Sequence, residues 1–281
     1  MSFLDRLAVC SIDDMSAYRP FFVAGKRLGW VKNDFAGHLQ KYKDVFNIAD
    51  DAVSLSDALK DFQTRTEAVD TVIRDLRERG IIKNWFEEKF PVKSGHGATP
   101  QFDMERAAIS LFGLPAFGVH LNGFVGRGKD MKMWVAERAH DKPIEPGKYD
   151  QIVAGGQPAD LSIEENLAKE CEEEAHIDAE TVAKAVAVSA ITYMMERPEG
   201  LRCDILYNYD LELDPSFTPV NTDGEVHSFH LWPLEQVRDV VHDTDDFKFN
   251  CSLVVIDFLI RHGVITPEHP EYVDCVKGLR S

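Results

Sequence analysis

Three glutamates in the segment 167–175, Glu170, Glu173 and Glu174, lie three and four residues apart along the chain. In an α-helix this spacing places all three carboxylates on one face, within an arc of about 100°, whereas Glu172 points to roughly the opposite side. Like charges this close repel one another and destabilise an isolated helix. Mg²⁺ removes that repulsion, because it prefers oxygen ligands and binds between carboxylates and substrate phosphates. The spacing therefore predicts a metal-binding helix, with a solvated acidic face as the alternative interpretation.

The neighbouring residues indicate how such a helix is held in place. Ser162 followed by Glu165 is a capping box, which fixes the helix start. An apolar stripe beside the acidic one is expected to bury one edge of the helix. This stripe consists of Ile163, Leu167, Cys171 and Ala175. The preceding segment 149–156 has the pattern of a short strand that runs into a glycine turn. The strand, the turn and the capped helix together would hold the acids at the rim of a core.

This arrangement resembles the Nudix box of the Nudix hydrolases, Gly-x5-Glu-x7-Arg-Glu-apolar-x-Glu-Glu-x-Gly-apolar. On this chain the first glycine of the box is Gly155 and the closing segment is 169–177. The resemblance places Glu170, Glu173 and Glu174 in register with the metal-binding carboxylates of the family. It implies a metal-dependent hydrolase of diphosphates.

Three positions depart from the box. Leu161 stands where the family has Glu, Lys169 replaces Arg, and His176 replaces the final Gly. In the family that Glu and Arg brace the loop and the helix, so the resemblance implies a different brace with the metal site retained. A helix end usually has Gly or Asn in the left-handed conformation, so with His176 the helix is open to continue past this residue.

Composition restricts the partners and the compartment. The 281 residues carry a formal net charge of −17, which argues against nucleic acid or a membrane as partner, because phosphate binding depends on Lys and Arg. A small anionic substrate stays compatible with this charge if a metal and a few cations mask the local field. The five cysteines include no CxxC pair, which is typical of a reducing compartment. With no signal-peptide pattern at the N-terminus, these features predict a cytoplasmic protein.

The distribution of patterns along the chain predicts two domains. Strand patterns precede the box helix at 117–125, 132–138 and 149–154, and follow it at 185–195, 205–211 and 227–232. Helices are predicted at 233–241, with Pro233 at the first helical position, and at 250–263, capped by Asn250. These patterns, together with the resemblance to the Nudix box, predict the fold class α/β (α+β). The expected architecture is the α/β/α sandwich of the Nudix family with a mixed sheet, preceded by a smaller α+β domain. The predicted boundaries are 1–113 for the N-terminal accessory domain and 114–281 for the Nudix hydrolase domain.

Further segments resemble one branch of the family. Four of them are similar to the Nudix proteins related to the front part of fungal thiamine pyrophosphokinases: 117–125, 146–156, 223–234 and 257–268. The first 110 residues also fit the extra domain that this branch carries before its Nudix domain. The resemblance implies cleavage of thiamine diphosphate analogues, notably oxidised or damaged forms, to the monophosphate. The spacing of residues does not itself indicate a pocket for the thiamine rings.

Hydrolysis of a phosphoanhydride requires an activated water, neutralised phosphoryl oxygens and a stabilised leaving group. Mg²⁺, or alternatively Mn²⁺, bound by the three box glutamates would supply these. Glu170 and Glu174 are the expected ligands, and Glu173 is a ligand or the general base. Glu225, in an Asp-Gly-Glu turn before a strand, is the candidate for a base outside the box. The alternative interpretation is that Asp-Gly is only a turn signal and Glu225 a solvated strand end.

Cations and glycines are predicted to hold the diphosphate. Arg138, at the end of a strand, offers bidentate phosphate geometry, and Lys148 follows in the next loop. Gly155 and Gly156 form the turn before the box helix. Each cation is alternatively an ordinary surface residue, as is Lys142 in the same loop, which is left out of the predicted site.

Other functions stay open. The same fold acts on other nucleoside or sugar diphosphates. Isoprenyl diphosphate isomerisation is disfavoured, because no histidine cluster accompanies Cys171. A Nudix-fold binding or regulatory module without catalysis is favoured by Leu161, Lys169 and His176, but disfavoured by the three retained carboxylates. The expected partner is a small-molecule diphosphate, and a homodimer is left open.

Overall fold

The chain is described by a computed structural model that covers residues 1–95 and 97–280. Its helices and strands are, in chain order, α1 (Phe3–Val9), β1 (Tyr18–Val23), β2 (Lys26–Lys32), α2 (Asn33–Leu39), β3 (Phe46–Ile48), β4 (Val53–Leu55), α3 (Phe62–Glu78), β5 (Lys89–Val92), β6 (Phe102–Glu105), α4 (Arg106–Ile109), β7 (Pro115–Val125), β8 (Lys132–Arg138), β9 (Tyr149–Gln151), β10 (Val153–Gly156), α5 (Ile163–Ala175), α6 (Ala179–Val182), β11 (Val186–Arg197), β12 (Gly200–Glu212), β13 (Val226–Pro233), α7 (Leu234–Asp243), α8 (Phe249–Arg261) and α9 (Tyr272–Gly278). Short 3₁₀ helices occur at Ser110–Phe112 and Gly128–Asp130.

The largest sheet is mixed, as the sequence predicts. Within the described chain it has seven strands, in the order β11-β12-β7-β8-β13, with β10 beside β7 and β9 beside β8. Strand β12 runs parallel to β7, and the other pairs in this sheet are antiparallel. The strand that leads into the glycine turn therefore lies beside β7.

Helices cover both faces of this sheet, because successive side chains of a strand point to opposite faces. In β8, Met133 and Val135 belong to one buried cluster, together with residues of α7 and α8. Trp134 belongs to another, together with Leu167 and Cys171 of α5. The predicted α/β/α sandwich is confirmed, with the box helix on one face and the C-terminal helices on the other.

The N-terminal residues form separate sheets, a four-stranded one in the order β2-β1-β4-β3 and the pair β5-β6. Their buried apolar side chains, from Phe21 to Leu114, form a cluster of their own. Helix α1 is an exception. Phe3 and Cys10 are buried with α7, α8 and α9, and the Phe3 N–H donates to Glu271 Oε2 at 3.0 Å. This helix therefore completes the core of the later residues.

The predicted ends of helices agree best with the structure where residues close together in sequence determine them. Helix α5 begins after Ser162, and both hydrogen bonds of the capping box are present. It ends at His176, which adopts the left-handed conformation with φ 53°, so the helix does not continue past this residue. The cap predicted at Asn250 is wrong, because α8 already begins at Phe249 after Lys248. Among the described residues, no helix combines the length and the apolarity needed to cross a membrane.

Candidate active site

A cavity of about 500 Å³ lies beside the box helix. The glycine turn, the turn before β13 and the loop after β8 line it together with α5. Residues of the N-terminal region close another side. The predicted site residues among its lining are Glu170, Glu173, Glu225, Arg138, Gly155 and Gly156. The structure therefore brings together six of the eight predicted site residues at this cavity.

The glycine turn is needed for close packing. A Cβ atom at residue 155 would lie 2.3 Å from Cδ of Glu170, and one at residue 156 would lie 2.7 Å from Cζ of Phe90. Contacts under 3.0 Å are essentially absent from real structures. Gly155 thus makes room for a box carboxylate, and Gly156 makes room for a ring of the N-terminal region.

Glu174 is buried, with 6% of its surface exposed, so it lies in the protein and is not part of the cavity lining. Its Oε2 accepts a hydrogen bond from the N–H of Ala154 at 2.8 Å. Burial raises the pKa of Glu174 well above its ordinary value, and the neighbouring Glu170 raises it further. Burial also raises the pKa of Glu170; Lys169 opposes this effect, whereas Glu173 and Glu225 add to it. The two carboxylates therefore favour a cation in their vicinity.

Lys169 lies between two box carboxylates. Its Nζ is 2.6 Å from Glu173 Oε2 and 3.2 Å from Glu170 Oε1. Among the described residues, Glu170, Glu173 and Glu174 do not bring one oxygen each to within 4.8 Å of one another. The lysine that replaces the family's arginine therefore braces the helix by pairing with the acids themselves.

Glu225 reaches the mouth of the cavity from the turn before β13. Its Oε2 is 2.5 Å from Nζ of Lys142, and its side chain is 46% exposed. Asp223 of the same turn also lines the cavity; its pKa is raised, chiefly by burial and further by Glu225. Lys142, left out of the predicted site, is thus the lysine of its loop that reaches the cavity.

The two predicted phosphate-binding cations are engaged by the protein. The guanidinium of Arg138 donates to Asp150 Oδ2 at 2.9 Å and to the carbonyl oxygens of Glu145 and Ile144 at 3.2 and 3.0 Å. It lines the cavity nonetheless. Lys148 is not brought to the cavity, because its Nζ donates to the carbonyl oxygen of Asp245 at 2.7 Å.

Asp150 organises a buried cluster that the sequence did not indicate. Its Oδ2 also lies 3.3 Å from Nζ of Lys248, and its Oδ1 accepts from the thiol of Cys251 at 2.6 Å. Burial raises the pKa of Asp150, but the cations Lys248 and Arg138 overcome this and hold it well below its ordinary value. Burial lowers the pKa of the adjacent His120 to about 4, so this ring is neutral at pH 7.

This cluster is not a convincing metal site. His120, Asp150 and Cys251 do have ligand atoms within 4.8 Å of one another. However, Lys248 and Arg138 already compensate the carboxylate. Burial also raises the pKa of the Cys251 thiol well above its ordinary value, whereas a metal binds the thiolate. The cluster therefore serves to hold Arg138 and Lys248 at the cavity.

Sequence reasoning also missed the residues that the rest of the fold brings to the cavity. They are Phe86, Phe90 and Arg106 from the N-terminal region, and Arg202, Lys248 and Asn250 from later elements. No local pattern marks them, because each reaches the cavity through contacts between segments distant in sequence. His120 also lines the cavity.

Comparison with known proteins gives a consistent family. Residues 2–116 match the model of a family described as a domain of unknown function, DUF4743. The chain is 40% identical over 283 residues to Nudix hydrolase 24, chloroplastic, of Arabidopsis thaliana, covering 99% of this chain and 78% of the relative. It is 39% identical over 290 residues to Nudix hydrolase 20, chloroplastic, of the same plant, with the same coverage.

Similarity to solved structures is weaker. A MutT/nudix family protein from Enterococcus faecalis is 12% identical, with a TM-score of 0.42, and the match covers 58% of this chain and 67% of that one. Similarity at this level carries no argument about function.

The two plant relatives correct one prediction and establish the family. Both are chloroplastic by name, which contradicts the prediction of a cytoplasmic protein. The cysteine pattern indicates a reducing environment, and it does not distinguish one reducing compartment from another. With about 40% identity to both relatives over 99% of its length, the chain belongs to the Nudix hydrolases, enzymes that hydrolyse small diphosphate compounds with the help of divalent metal ions.

Proposed function

We propose that this chain hydrolyses a thiamine diphosphate analogue, an oxidised or damaged form, to the monophosphate. The observation that carries the hydrolysis is the pair Glu170 and Glu174, two acids with raised pKa values beside a cavity that also contains cations. The four segments that resemble the thiamine pyrophosphokinase-related branch support the choice of substrate.

We propose Glu170, Glu173 and Glu174 as the ligands of Mg²⁺, with Mn²⁺ as the alternative. The donor types fit such an ion, because hard divalent cations prefer carboxylate oxygens. Convergence of all three carboxylates on one ion requires Glu170 and Glu173 to give up their contacts with Lys169. Burial and the neighbouring Glu170 raise the pKa of Glu174 because they disfavour its ionised form, and a bound cation would offset that cost. When bound, the metal supplies activation of water and neutralisation of phosphoryl oxygens.

We propose Glu225 as the general base, with Glu173 as the alternative. Glu225 stands at the cavity mouth, and its side chain is partly exposed, so it can accept a proton from water. Lys142, 2.5 Å from Glu225 Oε2, keeps the carboxylate at the cavity. A base in this position must lie within hydrogen-bond reach of the attacking water in the substrate complex.

The diphosphate is proposed to lie between the box acids and the cations opposite. Arg138 contributes positive charge from a fixed position, since its N–H groups are held by Asp150 and by two carbonyls. Gly155 and Gly156 are proposed to serve the binding site by carrying no side chains, which leaves room for Glu170 and for the ring of Phe90 beside the substrate. Lys148 has no part in this proposal, because it binds Asp245.

We further propose that residues 1–113, apart from α1, act as an accessory domain to a hydrolase domain of residues 114–281. Two observations support this division: the separate buried cluster between Phe21 and Leu114 and the family model that matches residues 2–116.

The test is chromatographic detection of the phosphate-ester products from a panel of diphosphates, measured with and without Mg²⁺ and Mn²⁺. The panel contains thiamine diphosphate, its oxidised analogues, ADP-ribose and common nucleoside diphosphates. Metal-dependent cleavage that favours the oxidised thiamine analogues is expected. Preference for another diphosphate would discard the substrate and keep the hydrolysis. If a folded protein that binds Mg²⁺ cleaved nothing in the panel, this would favour the alternative that the chain is a Nudix-fold binding or regulatory module without catalysis.

A further inference from the structure

The N-terminal region contributes directly to the active-site cavity. Phe86, Phe90 and Arg106 line it together with the box residues, and all three lie within residues 2–116, which match the domain of unknown function. A second space of about 130 Å³ shares Phe86, Phe90 and Arg106 with the first and continues toward residues 107–110. The cavity therefore extends from the box helix to the interface between the two regions.

Main-chain and ring contacts fix this N-terminal wall to the box. The ring of Phe90 packs on Gly156, where a Cβ atom would lie 2.7 Å from its Cζ. The N–H of Ala159 donates to the carbonyl oxygen of Lys89 at 2.9 Å, so β5 is joined to the loop that precedes α5. The wall is thus in place beside the box in this structure.

Hydrogen bonds also hold the wall residues relative to one another. The N–H of Phe86 donates to Glu105 Oε1 at 3.0 Å, and Glu105 is itself buried. The N–H of Arg106 donates to the carbonyl oxygen of Glu88 at 2.8 Å. A surface fixed in this way can bind a ligand without first losing conformational entropy.

The wall presents a planar cation supported by aromatic rings. Cζ of Arg106 lies 4.7 Å from the ring centroid of Phe86 and 5.6 Å from that of Phe90. Its Nη1 is 2.8 Å from Glu88 Oε2, and 41% of the side chain remains exposed. A partly exposed guanidinium that lies close to two rings and pairs with one carboxylate is suited to stack on a further planar group.

Charge differs between the two ends of the cavity. The acids at the box end, Glu170, Glu173 and Glu225, are paired with Lys169 and Lys142. The cations Arg106, Arg202 and Lys248 line both this cavity and the second space at the wall. Arg202 and Lys248 are each paired with a buried acid, Asp204 and Asp150, at 2.8 and 3.3 Å. Arg106, paired with the partly exposed Glu88, is therefore the wall cation most accessible to a ligand.

We propose that the N-terminal region forms the binding site for the organic group of the diphosphate substrate, and that Arg106 stacks on a planar ring of that group. This inference rests on the proposed hydrolysis at the box. It assigns the domain of unknown function a role in substrate specificity. Arg106 is a specificity-determining residue that contacts the ring, while the box performs the reaction.

The test compares a substrate that has rings with one that has none. Steady-state kinetics of Arg106→Ala are measured with an oxidised thiamine diphosphate and with methyl diphosphate. The KM for the thiamine analogue is expected to rise about tenfold, the order expected from one stacking contact of about 1.4 kcal/mol, with kcat within about twofold. The kcat/KM for methyl diphosphate is expected to stay unchanged. An equal loss for both substrates, or no loss for either, would overturn the proposal.

Two further variants separate stacking from folding and from charge. Arg74→Ala is the matched control, because Arg74 also lies in the N-terminal region, pairs with Asp70 at 2.7 Å and lies over the ring of Trp85 at 5.4 Å, but does not line the cavity. It is expected to leave both substrates unaffected. Arg106→Lys keeps the charge without the plane. It is expected to raise the KM for the thiamine analogue nearly as much as Arg106→Ala.

Binding without turnover keeps this inference distinct from the proposed hydrolysis. Thiamine monophosphate contains no phosphoanhydride, so its affinity can be measured by calorimetry even if the chain cleaves nothing. The dissociation constant is expected to rise about tenfold in Arg106→Ala and to stay constant in Arg74→Ala. Equal affinities in the wild type and Arg106→Ala would contradict the wall site, whatever the panel shows.

Discussion

Asp150 and Glu174 are both buried carboxylates, 4% and 6% exposed, yet their surroundings shift the two pKa values in opposite directions. Asp150 pairs with Arg138 and Lys248 and accepts from a thiol, so its pKa lies below the ordinary value. Glu174 accepts one hydrogen bond, from Ala154, and has further carboxylates as neighbours, so its pKa lies above it. A buried charge that the protein already compensates is a structural element. One that the protein leaves uncompensated is suited to bind a cation.

The largest expected effect is on stability and concerns Asp150. Asp150→Ala leaves Arg138 and Lys248 without their shared partner, and removal of one partner from a buried ion pair costs about 3–5 kcal/mol. Urea denaturation is expected to show this loss in the free energy of unfolding. The control is Asp245→Ala, which removes an exposed partner of Lys148 and is expected to cost at most about 1 kcal/mol. Equal losses of unfolding free energy in Asp150→Ala and Asp245→Ala would contradict the structural role of Asp150.

The second prediction concerns activity and Glu174. Glu174→Gln keeps an acceptor for the N–H of Ala154 but removes a proposed metal ligand, so kcat is expected to fall about 10²–10³-fold, equivalent to several kcal/mol of lost metal stabilisation. Stability without metal is expected to be unchanged or higher, because a buried charge is removed. Glu172→Gln, on the opposite side of α5, is the matched control. Turnover near that of the wild type in Glu174→Gln would exclude Glu174 from the reaction.

The third prediction separates the two carboxylates by pH. The pKa of Glu174 is raised above its ordinary value of 4.5. Its contribution to the free energy of unfolding is therefore fully present below pH 4.5 and is lost as the pH rises through the folded-state pKa. The pKa of Asp150 is lowered below its ordinary value of 3.8. Its contribution to the free energy of unfolding is therefore present above pH 3.8 and is lost as the pH falls through the folded-state pKa. Thermal unfolding without metal is expected to show lower stability at pH 8 than at pH 5 from the Glu174 site.

Metal addition is expected to reverse the loss at high pH. Mg²⁺ at 100 times its Kd raises the free energy of unfolding by about 2.7 kcal/mol. The gain is expected to be larger at pH 8 than at pH 5, because the ligands must be ionised, and to be absent in Glu174→Gln. A gain of equal size in Glu174→Gln would place the metal elsewhere.

The fourth prediction tests the packing of the glycine turn. Gly155→Ala places a Cβ atom 2.3 Å from Cδ of Glu170, so the carboxylate must move. Activity is expected to fall about tenfold, since small misplacements of catalytic groups are costly. Gly37→Ala, in α2 with no atom within 4 Å of its added Cβ, is the control and is expected to stabilise by about 0.5–1 kcal/mol. Full activity in Gly155→Ala would mean that the position of Glu170 is not critical.

The smallest effect concerns the end of the box helix. His176 adopts φ 53°, a conformation that costs a side-chain-bearing residue about 1–2 kcal/mol. His176→Gly removes this strain together with the exposed pair to Glu172 at 3.0 Å, so a net gain of about 0.5–1 kcal/mol is expected in thermal unfolding. Glu172→Gln measures the loss of this side-chain contact alone. If His176→Gly were less stable than the wild type, the side chain of His176 would stabilise the fold by more than the strain of its backbone conformation costs.

The parts predicted from the sequence are those that short-range signals determine. The capping pair Ser162 and Glu165 indicated the start of α5 because its bonds join residues three apart. Helical periodicity placed three acids on one face, and alternation in the strands predicted the mixed sheet. The family followed from the resemblance of residues 155–177 to the Nudix box, and the α/β/α fold followed partly from these patterns and partly from that resemblance.

The parts that could not be predicted depend on what folding brings together. The role of Arg138 is determined by Asp150 and by two loop carbonyls, none of which is marked in the sequence. Lys148 and Lys142 belong to one loop, and only their tertiary partners decide which of them reaches the cavity. The N-terminal wall was missed for the same reason, because Phe90 meets Gly156 across a long stretch of chain.

The packing of α1 has a consequence for how this molecule is made. Phe3 and Glu271, joined by a hydrogen bond, are separated by 268 residues, so during synthesis α1 emerges long before the helices it packs on exist. The hydrolase core can close only when α7, α8 and α9 have been translated. A fragment beginning at residue 114 would therefore expose the apolar surface that Phe3 and Cys10 cover. A shortened enzyme needs α1 fused to it or supplied as a separate peptide.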